Sequence, residues 1–308
     1  MDEPNLSNDI KYNKLKNLFL KQSYTDSWTD YVRSLHESSF IKWDYIVLTA
    51  SNKRQAEAFE VQLKHRLDAG KLPESTDYIV LPDPDGERIG SGGATFNVLR
   101  VIAERENKKG RYQDIFENLR ILVIHSGGDS KRVPQYSAVG KLFSPVPREL
   151  PDGRGSTLFD EFIIALSGMP SRIKDGMLIL SGDVLLLFNP LQMDIAGHGA
   201  AAISFKELAE VGKDHGVFLE DDSGFVKKFL HKQSVEKLKE AGAINEHGMV
   251  NLDTGAILFN TDILNALFSL ISENGRTDEG KFKKYVNSRA RISFYGDFLY
   301  PLASDSTL

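Results

Sequence analysis

The most constraining stretch of this chain is the apolar run Leu119–Ile124, which leads straight into His125-Ser-Gly-Gly-Asp-Ser-Lys-Arg-Val-Pro134 and on to Lys141. A buried strand that ends in paired glycines must deliver its backbone into a tight turn. A turn without Cβ atoms lets N–H groups approach an anion. Ser126, Gly127 and Gly128 supply that turn, and Lys131, Arg132 and Lys141 place mobile and planar positive charge around it. The assembly suits a polyphosphate; paired glycines also occur in plain loops with solvated lysines. The pattern is not a Walker A loop, because Gln135 stands five places before Gly140 and Leu142 follows Lys141 where Ser or Thr is required. It is not the dinucleotide pattern either, since Arg132 occupies the position of its last glycine.

Composition narrows the chemistry. The 308 residues carry a formal charge of -5, so no basic field advertises nucleic acid, and cationic groups for an anion have to be placed locally. There is no cysteine, which excludes disulfides, zinc thiolate sites and a Cys nucleophile. A reducing cytoplasm is the expected compartment. The acidic, polar start fits no signal peptide. Apolar runs such as 177–180 and 184–188 are too short to span a bilayer, so no membrane partner is expected. Oligomeric state is not legible.

Apolar runs alternate with helical patterns. A polar, mostly helical lead-in covers 1–43, with Tyr12, Leu15, Leu18 and Phe19 at helical spacing. Strands are expected at 45–49, 77–81, 119–124 and 176–183. Helices are expected at 54–67 with Ser51 as N-cap, from the Gly90-Ser-Gly-Gly-Ala-Thr95 loop to Ala103, and at 157–166. Such alternation indicates right-handed βαβ crossovers, a mostly parallel sheet, and ligand binding at the strands' carboxyl ends. Further strands are expected at 201–205, 216–219, 224–230, 254–259 and 291–299, with a helix at 261–271. No linker splits the chain, so a single domain with a mixed sheet follows.

Asp183 closes the fourth strand in Ser181-Gly-Asp183; a carboxylate there suits Mg²⁺, which takes one or two protein oxygens with phosphate and water, and equally suits capping the next turn. The Gly90–Gly93 loop, with Ser91, opens a helix whose first N–H groups attract anions, or is a tight strand-to-helix turn capped by Ser91. His125 stands beside the phosphate turn, as a nucleotide contact or as a hydrogen-bonded core residue. No pair of the seven histidines has metal spacing on one helix, and no serine-hydrolase elbow is present.

Together these pieces resemble the sugar-nucleotide pyrophosphorylases, and most closely the fucose-1-phosphate guanylyltransferase family, which also forms the amino-terminal part of bifunctional fucokinase/GDP-fucose pyrophosphorylases. The likeness rests on Gly90–Thr95, His125–Pro134, Gly140-Lys-Leu-Phe-Ser-Pro-Val-Pro147, Ser181–Asp183, His215-Gly-Val-Phe218 and Asp253-Thr-Gly255, in family order. It implies an α/β, Rossmann-like nucleotidyltransferase domain over 44–308, its mixed, mostly parallel central sheet flanked by helices, with 1–43 packed on it. The family's β-helix and kinase parts have no counterpart before Leu308. The implied reaction joins a nucleoside triphosphate, GTP in this family, to a sugar 1-phosphate, L-fucose 1-phosphate, with Mg²⁺, and releases pyrophosphate. The resemblance puts Mg²⁺ on Asp183 and Asp297. It makes Arg132, Lys141 and Lys232 the catalytic cations, although His231 and Gln233 depart from the family's Glu and Pro around that lysine. It assigns Gly90, Ser91, Gly92, Gly93, Ser126, Gly127, Gly128 and Lys131 to the nucleotide, and Gly216, Asp253 and Thr254 to the sugar. The same fold with another base or sugar, and a non-catalytic nucleotide- or sugar-phosphate-binding domain, are the alternatives.

Overall fold

The computed structural model describes residues 6–127, 134–136, 140–190, 193, 195 and 199–306. Among them the elements run α1 (Leu6–His36), β1 (Tyr45–Ala50), α2 (Lys53–Asp68), β2 (Asp77–Pro82), α3 (Gly90–Lys108), β3 (Arg120–His125), β4 (Pro145–Glu149), β5 (Gly155–Thr157), α4 (Leu158–Ala165) and β6 (Gly176–Ser181). The second half holds β7 (Ala200–Leu208), α5 (Ala209–Gly212), β8 (Gly216–Glu220), β9 (Val226–His231), α6 (Val235–Glu240), β10 (Met249–Phe259) and α7 (Thr261–Ser269). After these come β11 (Ser272–Glu273), β12 (Arg276–Thr277), α8 (Glu279–Tyr285), a π-helical turn (Phe294–Leu299) and α9 (Tyr300–Leu302).

The central sheet is mixed, as the sequence pattern predicts. Strands β2, β1, β3 and β6 pair in parallel in that order. Antiparallel β10 follows β6 and also pairs β7 and β8, and β9 closes a hairpin on β8. Six of the eight strands therefore point one way, with only β9 and β10 opposed. Because β3 lies between β1 and β6, the turn after β3 is central among the strand ends. Strand alternation splits the core in two. Tyr45, Val47, Ile121, Val123, Met177 and Ile179 face α3, α7 and α8. Ile46, Leu48, Leu122, Ile124, Leu178 and Leu180 face α1, α2 and α4. Period-two burial on both faces is the reason these strands read as continuous apolar runs.

Three expectations change. The last strand, expected at 291–299, is the π-helical turn: the Ser293 Oγ accepts from the Gly296 N–H at 3.1 Å and the Asp297 carboxylate accepts from the Ser293 N–H at 2.7 Å. These two side chains close a helical turn that the aromatic composition concealed. The α2 N-cap is Asn52, whose side chain accepts from the Gln55 N–H, while the Ser51 Oγ donates to the Gln55 Oε1. In α1 the apolar spacing does not mark the packed face. Leu15, Leu18 and Phe19 are more than half exposed, and the helix is held further along by buried Ser27, Tyr31 and Ser34.

A buried ion pair joins α2 to α4. Arg66 grips Asp160 through both carboxylate oxygens, at 2.8 and 2.9 Å, and its guanidinium lies over the Phe143 and Phe159 rings. Asp160 in turn forms the capping box of α4 with Thr157. Burial works to raise the Asp160 pKa, and the Arg66 guanidinium outweighs it, holding the carboxyl below its usual range. Since Phe143 follows Lys141 by two residues, this pair also sets the turn that carries the lysine. Replacing Arg66 with Ala leaves a buried carboxylate without its partner, and urea unfolding should show a loss of about 3 kcal/mol.

Candidate active site

The carboxyl ends of β3 and β6 enclose a cleft of about 230 Å³ lined by His125, Ser126, Gly127, Lys141, Ser181, Gly182 and Asp183. Gly182 lets the two strand ends meet. Its N–H donates to the His125 carbonyl at 2.9 Å, and a Cβ there would lie 3.0 Å from that oxygen and from the Ser126 side chain. Asp183 is thereby brought opposite Ser126 and Gly127. Its Oδ1 accepts from the Ser181 Oγ at 2.7 Å, and its Oδ2 lies 3.6 Å from the Lys141 Nζ. Lys141 and Asp183 thus share one cleft, with a free edge on the carboxylate. Gly128, Lys131 and Arg132 lie outside the described residues.

The floor of this cleft is a directional hydrogen-bond chain. The Thr95 Oγ1 donates to the Ser91 carbonyl at 2.9 Å, which uses its only proton, so at 3.1 Å it accepts from the His125 Nε2–H. The His125 Nδ1 is then bare and accepts from the Thr49 Oγ1 at 3.3 Å. Thr49 accepts from the Ser126 N–H at 3.3 Å, and its carbonyl accepts from the Ser126 Oγ at 2.7 Å. Neutral imidazole therefore ties the ends of β1 and β3 to the start of α3. Burial pushes the His125 pKa down to about 4. Of the two uses open to this histidine, the structure supports the hydrogen-bonded one.

Gly90, Ser91, Gly92 and Gly93 already belong to the first turn of α3; Gly90 and Gly92 lie against Arg291 and Ile292, and Gly93 against Ile89. The Gly92 N–H donates to the Ile292 carbonyl at 2.8 Å, and a Cβ on Gly92 would lie 2.4 Å from the Ile292 side chain. Ser91 is not an N-cap; its Oγ accepts from the Phe294 N–H at 2.9 Å. The N–H of Gly92 and the oxygen of Ser91 thus tie the first turn of α3 to the segment 292–294.

Asp253 and Thr254, which the sequence assigns to the sugar by resemblance, stand at a bulge in β10. β6 pairs with Ala256–Phe259 and β8 with Asn251–Leu252, and the register against β7 shifts between Asp253 and Ala256. At this junction the Asp253 Oδ1 accepts from the Gly255 N–H at 2.8 Å, and the Thr254 Oγ1 donates to the Ile203 carbonyl at 2.6 Å. Bulges of this kind re-aim side chains beside functional clefts. Burial raises the Asp253 pKa, opposed by the Gly255 N–H, the Tyr295 hydroxyl and the charges of His231 and His215. Gly216 is small for packing reasons: a Cβ there would meet the Phe229 ring at 2.6 Å and Asp253 at 3.1 Å. His215, Asp253 and Thr254 border a groove of about 910 Å³ whose far wall includes Val184, Leu186 and Phe188. Lys232 stands at the same corner. Its backbone is left-handed, with φ +49, and its N–H donates to the His215 carbonyl at 2.8 Å.

Asp297, expected beside Asp183, stands apart from the cleft. Its carboxylate caps its own turn at Ser293, is exposed, and does not border the cleft. The residue of this motif nearest the β10 bulge is Tyr295, whose hydroxyl lies 3.6 Å from where a Cβ on Gly255 would stand. Sequence reading passed over it, together with Thr49 and Thr95, because their partners are distant along the chain. Among the described residues no group of three or more His, Asp or Glu stands together to cage a metal ion. The half-exposed Asp183 fits Mg²⁺ only as an ion that brings phosphate and water as its other ligands.

The fucose pyrophosphorylase domain family matches residues 113–308. The chain is 30% identical over 292 residues to the bifunctional fucokinase/GDP-fucose pyrophosphorylase of Arabidopsis thaliana, covering 86% of this chain and 27% of that protein. It is 29% identical over 289 residues to the fucose-1-phosphate guanylyltransferase of Mus musculus and 27% over 290 residues to that of Homo sapiens. These two alignments cover 86% of this chain and 47% and 46% of the relatives. The chain thus spans half the length or less of the curated relatives it matches. No helix among the described residues is long and apolar enough to cross a membrane.

The His125 chain has a pH signature. Its pKa is about 4 in the fold and about 6.5 when unfolded, so the unfolded chain binds the extra proton between those values. This contribution to stability is complete above pH ~6.5 and is lost as pH falls toward 4. Denaturant unfolding across that window should show the fall, and His125→Asn should flatten it.

Proposed function

The chain belongs to the fucose pyrophosphorylase domain family, and on that basis we propose that it transfers a guanylyl group from GTP to L-fucose 1-phosphate, giving GDP-fucose and pyrophosphate. The observation that carries the reading is the pairing of Lys141 with Asp183 in one cleft, beside the Ser126–Gly127 turn. A phosphate oxygen of the sugar phosphate attacks the α-phosphorus of the nucleotide, its bond to phosphorus forms, and the bond to the pyrophosphate oxygen breaks. The nucleophile is already an anion at neutral pH, so a general base is not required. Repulsion between two polyanions is the obstacle, and catalysis rests on positioning and neutralised charge.

In this reading Lys141 neutralises the α-phosphate, and Lys232 the sugar phosphate. Arg132 and Lys131 hold the leaving phosphates, with Gly127 and Gly128 lending backbone N–H groups and Ser126 tying the turn to Thr49. Asp183 would hold Mg²⁺, which supplies charge neutralisation and orientation when bound. Asp253 and Thr254 take the sugar side, where the β10 bulge aims the carboxylate. His125 stays neutral and fixes the turn. The lack of cysteine accords with a reducing cytoplasm as its compartment.

A matrix of nucleoside triphosphates against sugar 1-phosphates, read by magnesium-dependent pyrophosphate release, tests the assignment. GTP with fucose 1-phosphate should give the highest kcat/KM; a preference for UTP or CTP, or for another sugar, replaces it. Lys141→Ala and Asp183→Asn should each lose at least ~10²-fold in rate, the cost of removing one preorganised electrostatic group. A loss below tenfold in a folded variant removes that residue from the mechanism.

A further inference from the structure

The start of α2 packs against two glycines that flank Lys131 and Arg132 in the sequence. A Cβ on Gly127 would lie 3.1 Å from the Ser51 backbone nitrogen and 3.2 Å from the Ala50 carbonyl carbon. Gly140 has φ +71, and a Cβ there would lie 3.0 Å from the Gln55 Nε2 and 2.9 Å from the Phe59 ring. Gln55 joins the two contacts. Its Oε1 accepts from the Ser51 N–H at 2.8 Å and from the Ser51 Oγ at 3.1 Å, and its own N–H donates to the Asn52 side chain at 3.0 Å. Gln55 is 1% exposed, yet its Nε2 has no hydrogen-bond partner among the described residues. An apolar side chain of this length would fill the same space without a stranded donor, so packing alone does not account for an amide here.

We propose that Gln55 is a positioning residue for Lys141. Gly127 and Lys141 both line the cleft, and Lys141 follows Gly140 directly. Through Ser51 the Gln55 side chain is tied to the backbone on which Gly127 packs. Through its amide it meets the peptide that leads into Lys141. One side chain thus sets the spacing between the turn and the lysine, without itself lining the cleft. Phe59 supports the same peptide by apolar contact, and its ring lies 5.3 Å from that of Phe143. Apolar contact is non-directional; the amide anchored at Ser51 adds a fixed orientation. The Lys141 ammonium is thereby presented beside Asp183, at 3.6 Å.

The proposal rests on the role given to Lys141 above, and the test separates the two. Steady-state pyrophosphate release from GTP and fucose 1-phosphate is measured for the full chain, Gln55→Met, Lys141→Ala and the double variant, each first checked for a cooperative urea transition. Gln55→Met keeps the length of the side chain and removes its amide. It should lower kcat about tenfold or more, with KM for both substrates within about threefold, the pattern of a contribution made only in the transition state. In the Lys141→Ala background the same change should cost less than about twofold, because its effect passes through the lysine. A merely structural role would slow both backgrounds alike. Equal losses in the two backgrounds, or an unchanged kcat in folded Gln55→Met, therefore overturn the role of Gln55 alone. If Gln55→Met does not fold, Gly140→Ala takes its place with the same expectations, since its Cβ presses the same peptide away from Gln55 and leaves the Ser51 bonds alone. If the parent prefers another nucleotide or sugar, the substrate assignment fails by itself and the cycle on that pair decides Gln55. A parent that turns over no pair, or a Lys141→Ala loss below tenfold, overturns the reading of Lys141 and the role of Gln55 with it.

Discussion

The contact between Gly182 and the end of β3 is the constraint on which the site depends. The N–H of Gly182 reaches the His125 carbonyl at 2.9 Å, and a Cβ on this residue would crowd that oxygen and Ser126 at 3.0 Å. Parallel pairing of β3 with β6 continues in register up to His125 and Ser181, so both chains leave the sheet at the same level. One leads into the turn at Ser126 and Gly127 and the other into Asp183. A wider separation would leave Lys141 and Asp183 in different clefts. The 3.6 Å between their charged groups follows from this convergence.

Electrostatic placement makes up for a chain that is acidic in sum. Lys141 and Asp183 partly cancel each other's charge in the cleft. Around this centre the groups that define direction are neutral: His125, Thr49, Thr95 and Ser126 form a chain of hydrogen bonds without a net charge. Such a scaffold orients backbone donors without competing with a polyanion for the cations.

Legibility in the sequence followed the range of the interaction. The strands around the site were readable because apolar runs buried on both faces are local patterns, and Asp183 was readable from its place at a strand end. The helical turn at 294–299 was not. Ser293 and Asp297 close it through side chains, while Phe294, Phe298 and Leu299 are buried at helical spacing within an aromatic-rich segment that imitates a strand. The purpose of Gly90–Gly93 was also hidden, because glycine in a turn next to a helix signals close approach without saying to what. Here Gly90 and Gly92 lie against Ile292, and Gly93 against Ile89. Gly216 carried the same ambiguity, and Phe229 resolves it.

The bond from Phe294 to Ser91 joins residues 203 positions apart. Closing a loop of that length is entropically slow and waits for the strands between to assemble. The first turn of α3 therefore acquires its outer support only after the intervening sheet is in place. On a ribosome, the end of β3 would emerge long before the segment that buttresses its neighbour. Competence for ligand would then arrive as a late event in biogenesis, after most of the core has consolidated.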